Sequence, residues 1–383
     1  MSLIDDMQQE LQNLRAQSNL RTLPRQQHQG KYIVVEGRQM LNLSSNDYLG
    51  LAADDTLRQK FCESDAVRHL FTSSSSRLLT GNFAEYEALE QWLAERFHAE
   101  AALLFNSGYH ANTGILPAVT DAHTLILADK LVHASLIDGI RLSAARCIRY
   151  RHNDMSQLER LLNEHHTTYR QIVVVTESIF SMDGDEADLP KLVELKRRYE
   201  NVLLYVDEAH AFGVRGATGL GCAEEQQCTG DIDFLVGTFG KAAASMGAYL
   251  VCNQTVRNYL INKMRTLIFS TALPPINVAW TQFVLAGDSV DYARRREHLQ
   301  TISHKLRAGL QAKGYTSPGN SHIVPLVTGS SAEAVEKASM LQSCGFYALP
   351  VRPPTVPEGG SRIRFSLTAA LAEDEIERLL ACL

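Results

Sequence analysis

The sequence predicts an α/β fold: a large domain built on a mostly parallel sheet, followed by a smaller α+β C-terminal domain. Three observations carry this. Short apolar runs recur along the chain: AALLF (101–105), TLILA (124–128), IVVVTE (172–177), VLLYVDE (202–208), FLVGTF (234–239) and AYLVC (248–252). Strands this uniformly apolar are buried on both faces, as parallel sheets are. Segments of helical periodicity separate them, and parallel strands need such crossovers. The length of 383 residues, with 45% hydrophobic and 21% charged, fits a globular protein of more than one domain.

Taken in order, residues 1–45 read as an N-terminal helix and arm. Leu3, Met7, Leu11 and Leu14 form a helical stripe that needs something to pack against. A basic, polar run (21–31) follows, then short alternating segments at 32–35 and 40–43. Residues 46–285 form the large domain. Within it, 85–97 is an amphipathic helix with Tyr86, Leu89, Leu93 and Phe97 at helical spacing. The stretch 273–287, LPPINVAWTQFVLAG, opens a helix with its prolines where a helix can begin. Residues 286–383 form the small domain, entered through helical spacing over 294–313.

Several functions are excluded. A formal charge of −6 without a basic cluster argues against nucleic acid. The seven cysteines are scattered and form no C-x-x-C pair, so neither a disulfide framework nor a metal site is expected. The acidic start MSLIDDMQQELQNLRAQ lacks the basic and apolar regions of a signal peptide, and no apolar window is long enough for a membrane span. A cytoplasmic location is expected.

The residues that carry chemistry cluster at strand ends, where ligands of α/β sheets collect. A lysine in the small-residue turn Gly240-Lys241-Ala242 can approach a ligand closely, and desolvation favours its neutral, imine-forming amine. An imine needs an electron sink, and pyridoxal phosphate (PLP) is the common one. Its ring nitrogen must stay protonated, and Asp207 in YVDEAH (205–210) is a fitting acidic partner. D-E-A-H also occurs in helicases, but G-x-x-x-x-G-K-[ST] is missing, as is the G-x-G-x-x-G of a dinucleotide-binding dehydrogenase. The segment from Asn106 to Asn112 joins a strand to a helix; Gly108 allows the turn, and the helix N-terminus is an anion site to which Thr238 can add a hydroxyl. His133, just past a strand, can stack on a flat ring. Arg362 and Arg364 share one face of a strand, and a forked guanidinium suits a substrate carboxylate. Each feature alone has a plain structural explanation, such as a helix cap or a surface ion pair. Their company argues for a site.

Together these segments resemble the α-oxoamine synthase family. The likeness runs through NLSSNDYLGL (42–51), SRLLTG (76–81), FNSGYHANTG (105–114), DKLVHAS (129–135), ESIFSMDGD (177–185), VDEAHAFGVRG (206–216), TFGKA (238–242), FSTALPP (269–275) and RPPTVPEGGSRIRFSLTAA (352–370). The resemblance implies the PLP-dependent transferase fold of the aspartate aminotransferase type (fold type I). It also implies a homodimer with the active site at its interface. Lys241 would bind PLP and move the substrate's α-proton. Asp207 would pair with the ring nitrogen, His210 with the ring oxygen near Ser181, and His133 would stack on the ring. Gly108, Tyr109 and Thr238 would hold the phosphate. Arg364 would clamp the amino-acid carboxylate, with Glu177 and Asn46 supporting the reacting groups, while Arg21 and Thr355 would touch the acyl substrate. The implied reaction is decarboxylative condensation of an amino acid with an acyl thioester of coenzyme A or acyl carrier protein. RPPTVPEG and FSTALPP are most like members that join L-alanine to a pimeloyl thioester. Siblings using another amino acid or acyl thioester (glycine C-acetyltransferase, 5-aminolevulinate, serine palmitoyltransferase-like and autoinducer synthases) are the alternative. TSSSSR (72–77), the AAASMG after the lysine, and Ala211-Phe212 depart from the family pattern and bear on acyl specificity.

Overall fold

The computed structural model describes residues 2–287 and 290–383. Contacts divide the chain into two units: Asp55–Phe180 with Glu186–Ala293, and the residues up to Asp54 with Ser181–Asp185 and Arg294–Leu383. Where the sequence sets 1–45 apart and opens a domain at 286, the contacts gather the N-terminal stretch with the C-terminal one. Backbone pairing is the reason. Arg38–Asn42 runs parallel to Phe346–Tyr347, and Lys31 Nζ meets Glu375 Oε2 at 2.8 Å.

In the larger unit seven strands lie in the order Ala101–Phe105, Ala248–Cys252, Phe234–Thr238, Val202–Asp207, Gln171–Glu177, Thr124–Asp129, Arg146–Tyr150. The last five are parallel, while Ala248–Cys252 runs antiparallel to both neighbours. It reverses because the loop 239–247 before it is too short for the crossover that a parallel strand needs. Arg146–Tyr150, at the edge, has a mixed burial pattern, and its polar sequence RCIRY hides it from a search for apolar runs. From Thr124–Asp129 the chain steps outward to Arg146–Tyr150, then returns to the other side of Thr124–Asp129 with Gln171–Glu177 and continues inward. That reversal is a topological switch point, where a cleft opens beyond the carboxyl ends of the strands. The helices Gly108–Val119 and Ala134–Leu142 pack tightly; a Cβ on Gly139 would come within 2.3 Å of the Asn112 carbonyl oxygen.

The smaller unit holds two sheets. Gln26–Gln29, Tyr32–Val35 and Arg38–Asn42 form an antiparallel meander. Its second turn, Glu36-Gly37, has φ of +50° and +77°, the left-handed pair that a two-residue hairpin turn prefers. Ile323–Gly329, Ser361–Ser366 and Pro350–Val351 form the second, antiparallel sheet. Leu3–Ala16 is helical behind a Ser2–Asp5 capping box, yet none of its residues is buried, and Leu3, Met7 and Leu11 of the predicted stripe are exposed. Among the described residues no helix is long and apolar enough to cross a membrane.

Candidate active site

The switch point of the larger unit carries a polar cluster in which Glu177, Asp207, Asn112 and Ser135 are buried while His133 stays exposed. Glu177 closes Gln171–Glu177, and His133 follows Thr124–Asp129 as the N-cap of Ala134–Leu142. The His133 amide donates to Glu177 Oε1 at 2.5 Å. His133 Nδ1 accepts from the Ser135 amide (3.2 Å) and lies 2.8 Å from Ser135 Oγ. His133 keeps solvent exposure, but the protein packed around it partly desolvates the imidazole and pushes its pKa down, against the nearby Asp207 charge, so the neutral ring is favoured. Burial and the Asp207 charge push Glu177 well above the usual carboxylate range.

Asp207 ends Val202–Asp207. Its Oδ1 accepts from the Ala209 amide at 2.9 Å and its Oδ2 from Asn112 Nδ2 at 2.8 Å. Two donors, one on each oxygen, hold the carboxylate as an acceptor and leave it lone pairs for another cation or N–H. Asn112 Nδ2 also donates to Ser135 Oγ (2.9 Å), and its Oδ1 accepts from the Tyr205 hydroxyl (2.7 Å).

Lys241 lies in the loop after Phe234–Thr238, with Nζ 2.8 Å from His210 Nε2. The loop is pinned by bonds from the Ala244 amide to the Lys241 carbonyl (2.9 Å) and from Trp280 Nε1 to the Ala244 carbonyl (3.0 Å). Ala244 itself takes φ of +47°. Ser107 caps Gly108–Val119, its Oγ accepting from the His110 amide. The first-turn N–H groups of Gly108 and Tyr109 have no helical carbonyl to donate to. A Cβ on Gly108 would lie 3.9 Å from Thr238 Cβ, so this open helix end faces the Thr238 side chain. Thr238 Oγ1 donates to the Gly247 carbonyl at 2.9 Å and accepts from the Gly240 amide, which holds the threonine beside the helix end. The Tyr109 hydroxyl points elsewhere, donating to Asp138.

The smaller unit gathers a second group around Arg364. Its Nε donates to the Ser181 carbonyl (2.5 Å), its Nη1 to Asn46 Oδ1 (3.2 Å) and Ser366 Oγ, and its Nη2 to the Tyr48 hydroxyl (3.3 Å). All are neutral acceptors, whereas Arg362 pairs with the Asp183 carboxylate. Arg21, which is exposed, donates to Thr355 Oγ1 at 3.3 Å and to the Pro353 carbonyl.

Within the larger unit the structure thus brings Lys241 to His210, Asp207 to the His133 network, and Gly108 to Thr238. In the smaller unit it brings Arg364 to Asn46 and Ser181, and Arg21 to Thr355. Asn112, Ser135, Tyr205 and Tyr48 were missed. Signals existed: Asn112 and Ser135 sit inside segments that mark the site, and Tyr205, two residues before Asp207, shares its strand face.

The family model for class I and II aminotransferases matches residues 38–383. An 8-amino-7-oxononanoate synthase of Haemophilus ducreyi is 58% identical over 371 residues, covering 95% of this chain and 96% of its own. A serine palmitoyltransferase from S. paucimobilis with bound PLP–myriocin aldimine has a TM-score of 0.91 at 27% identity, over 100% of this chain and 97% of that one. An 8-amino-7-oxononanoate synthase from Francisella tularensis has a TM-score of 0.74 at 27% identity, over 90% of this chain and 96% of that one.

Proposed function

The chain belongs to the class I and II aminotransferase family, in its α-oxoamine synthase branch, and from that premise we propose that it condenses L-alanine with a pimeloyl thioester. Carbon dioxide and the thiol leave, and 8-amino-7-oxononanoate is the product. The enzyme is a PLP-dependent acyltransferase. The observation that supports the reading most is the strand-end cluster, where a lysine amine 2.8 Å from an imidazole lies in the same unit as a carboxylate held by two donors.

The residues present fit PLP. An open helix N-terminus beside a threonine suits its phosphate, Asp207 has acceptor capacity for a pyridinium N–H, and Lys241 offers the amine. When bound, the cofactor supplies the sink for charge developing at the amino acid's α-carbon. Gly108 and Tyr109 amides, with Thr238, would hold the phosphate. Asp207 would keep the ring nitrogen protonated, and His210 and Ser181 would serve the ring oxygen. His133, favoured as the neutral form, presents an uncharged flat ring for stacking. Lys241 takes the α-proton and later returns one. Arg364, with no carboxylate partner among the described residues, holds the amino acid's carboxylate beside Asn46. Arg21 and Thr355 receive the acyl chain.

Two copies are proposed to complete the site, acting in the cytoplasm. Leu70, Phe71, Leu79 and Phe269 are exposed on the larger unit, at 59%, 77%, 79% and 71%, which suits burial against a second copy. A sibling activity is the second reading, because the serine palmitoyltransferase matches the fold with the higher TM-score. The 58% identity to the Haemophilus ducreyi synthase weighs more. The test is purified protein with PLP, given alanine, glycine or serine with pimeloyl or palmitoyl thioesters, the products read by mass spectrometry. An 8-amino-7-oxononanoate product from alanine supports the proposal, and preferred turnover of serine or glycine overturns it.

A further inference from the structure

Asn112 is 1% exposed and spends its amide on side chains alone. Nδ2 donates to Asp207 Oδ2 at 2.8 Å and to Ser135 Oγ at 2.9 Å, while Oδ1 accepts from the Tyr205 hydroxyl at 2.7 Å. Side-chain-to-side-chain bonds are the minority in proteins, and a buried network of them is costly unless every member is satisfied. Here both amide protons and the carbonyl oxygen have partners. The orientation is also fixed. A flipped amide would turn its oxygen toward the Asp207 carboxylate and lose both donors, so the network itself assigns which end is nitrogen.

The network ties three elements together. Tyr205 and Asp207 stand on one face of Val202–Asp207, Asn112 on Gly108–Val119, and Ser135 on Ala134–Leu142. Ser135 passes the contact on to His133 Nδ1 at 2.8 Å, and the His133 amide continues it to Glu177. One buried amide therefore touches, directly or through one hydroxyl, two of the residues assigned to the cofactor's ring: Asp207 at its nitrogen and His133 on its face. We propose that Asn112 is a positioning residue that orients the Asp207 carboxylate and, through Ser135, the His133 ring for the cofactor. The inference rests on the reading of the site given above. No task in the reaction falls on Asn112 itself; it acts through its neighbours.

Asn112→Asp tests this because it keeps the shape and changes the proton count. At low pH the new carboxyl can carry a proton and donate it to Asp207. At high pH two carboxylates confront each other and one must shift or protonate. Tyr205, Asp207, His133, Glu177, Lys241 and His210, with Asp138 and Asp129 acting on His133 and Glu177, are the titratable groups around it, and the wild-type protein corrects for all of them. The measurement is PLP affinity of the apoprotein by absorbance titration, as the ratio of variant to wild-type Kd. The ratio is expected near one at about pH 5.5 and to rise at least about tenfold by about pH 8.5, the scale of one charge-assisted hydrogen bond. A ratio that stays flat across that range overturns the proposal.

Should Asn112→Asp fail to fold, Asn112→Leu is measured alone and in an Asp207→Asn background. About a tenfold loss of PLP affinity beside Asp207, and none beside Asn at that position, is the expected coupling. Equal losses in the two backgrounds overturn the proposal. If the wild-type protein binds no PLP, the functional reading fails instead, and the two failures are told apart.

Discussion

The two sides of the sheet at the end of Val202–Asp207 treat a buried carboxylate in opposite ways. Glu208 is wholly buried and receives three donors: Ser178 Oγ (2.6 Å), the Cys222 amide (3.0 Å) and the Ala223 amide (2.7 Å). Even the missing side chain of Gly221 serves it, since a Cβ there would sit 2.6 Å from Oε2. Asp207, one residue earlier, takes two donors and keeps acceptor capacity. The smaller unit repeats the contrast on Ser361–Ser366, where Arg362 pairs with Asp183 and Arg364, among the described residues, meets neutral acceptors. In each pair the charged group whose needs the protein meets ties elements together. The one left with capacity is available to a ligand.

The largest effect should come from the ligand side. Lys241→Ala removes the amine proposed both to hold the cofactor and to carry the proton. Turnover should fall by at least ~10³-fold, and the visible band of lysine-bound PLP should vanish. An active variant with that band intact would remove Lys241 from the chemistry. Asp207→Asn keeps the shape but cannot hold a ring nitrogen protonated, so kcat should fall about 10²–10³-fold. Thermal melting of the Asp207→Asn apoprotein should stay close to wild type. If melting falls and kcat per folded molecule does not, Asp207 belongs with Glu208 and the contrast collapses.

Glu208 should show itself in stability. Burial pushes its pKa from 4.5 up to about 7, against three donors that pull it down. The folded state therefore binds this proton more tightly than the unfolded chain. The stability it contributes is fully present below pH 4.5 and is lost as pH rises through about 7. At 1.36 kcal/mol per pKa unit, that gap is worth about 3 kcal/mol. Glu208→Gln carries no titrating proton. The wild-type minus Glu208→Gln difference in unfolding free energy, from urea melts, should shrink by about that amount between roughly pH 4 and 8. A difference independent of pH would mean that Glu208 holds no extra proton in the folded state.

How much of this was legible follows from the same physics. Six strands of the larger unit were visible because burial on both faces leaves an uninterrupted apolar run. RCIRY at the edge was not, because an edge strand needs no such run. AYLVC was found as a strand but not as an antiparallel one, since direction depends on the length of the connection rather than on composition. At the site, the residues proposed to touch ligands announce themselves by type, as Lys241, Asp207 and His133 do. Asn112 and Tyr205 carry no such mark, because an amide or a phenol becomes meaningful only when folding brings its partner from another element. Glu208 is the converse, a conspicuous acid in D-E-A-H whose role is structural.

The arginine pair gives the smallest expected effect and the most direct trial of the contrast. Arg364 holds its fork open by donating to a carbonyl, an amide oxygen and two hydroxyls, none of which neutralises its charge. Arg364→Lys keeps the charge but loses the fork, and a lysine ammonium cannot bind a carboxylate through two parallel bonds. The KM for the amino acid should rise about 10- to 100-fold, the loss of one charge-assisted hydrogen bond or slightly more, while the KM for the thioester moves little. Arg362 is already spent on Asp183 and on the Gly360 carbonyl 2.9 Å away. Arg362→Lys should therefore lower the melting temperature and leave the amino-acid KM within about twofold. If both variants raise the amino-acid KM alike, the strand offers two clamps, and pairing with a protein carboxylate does not remove an arginine from ligand binding.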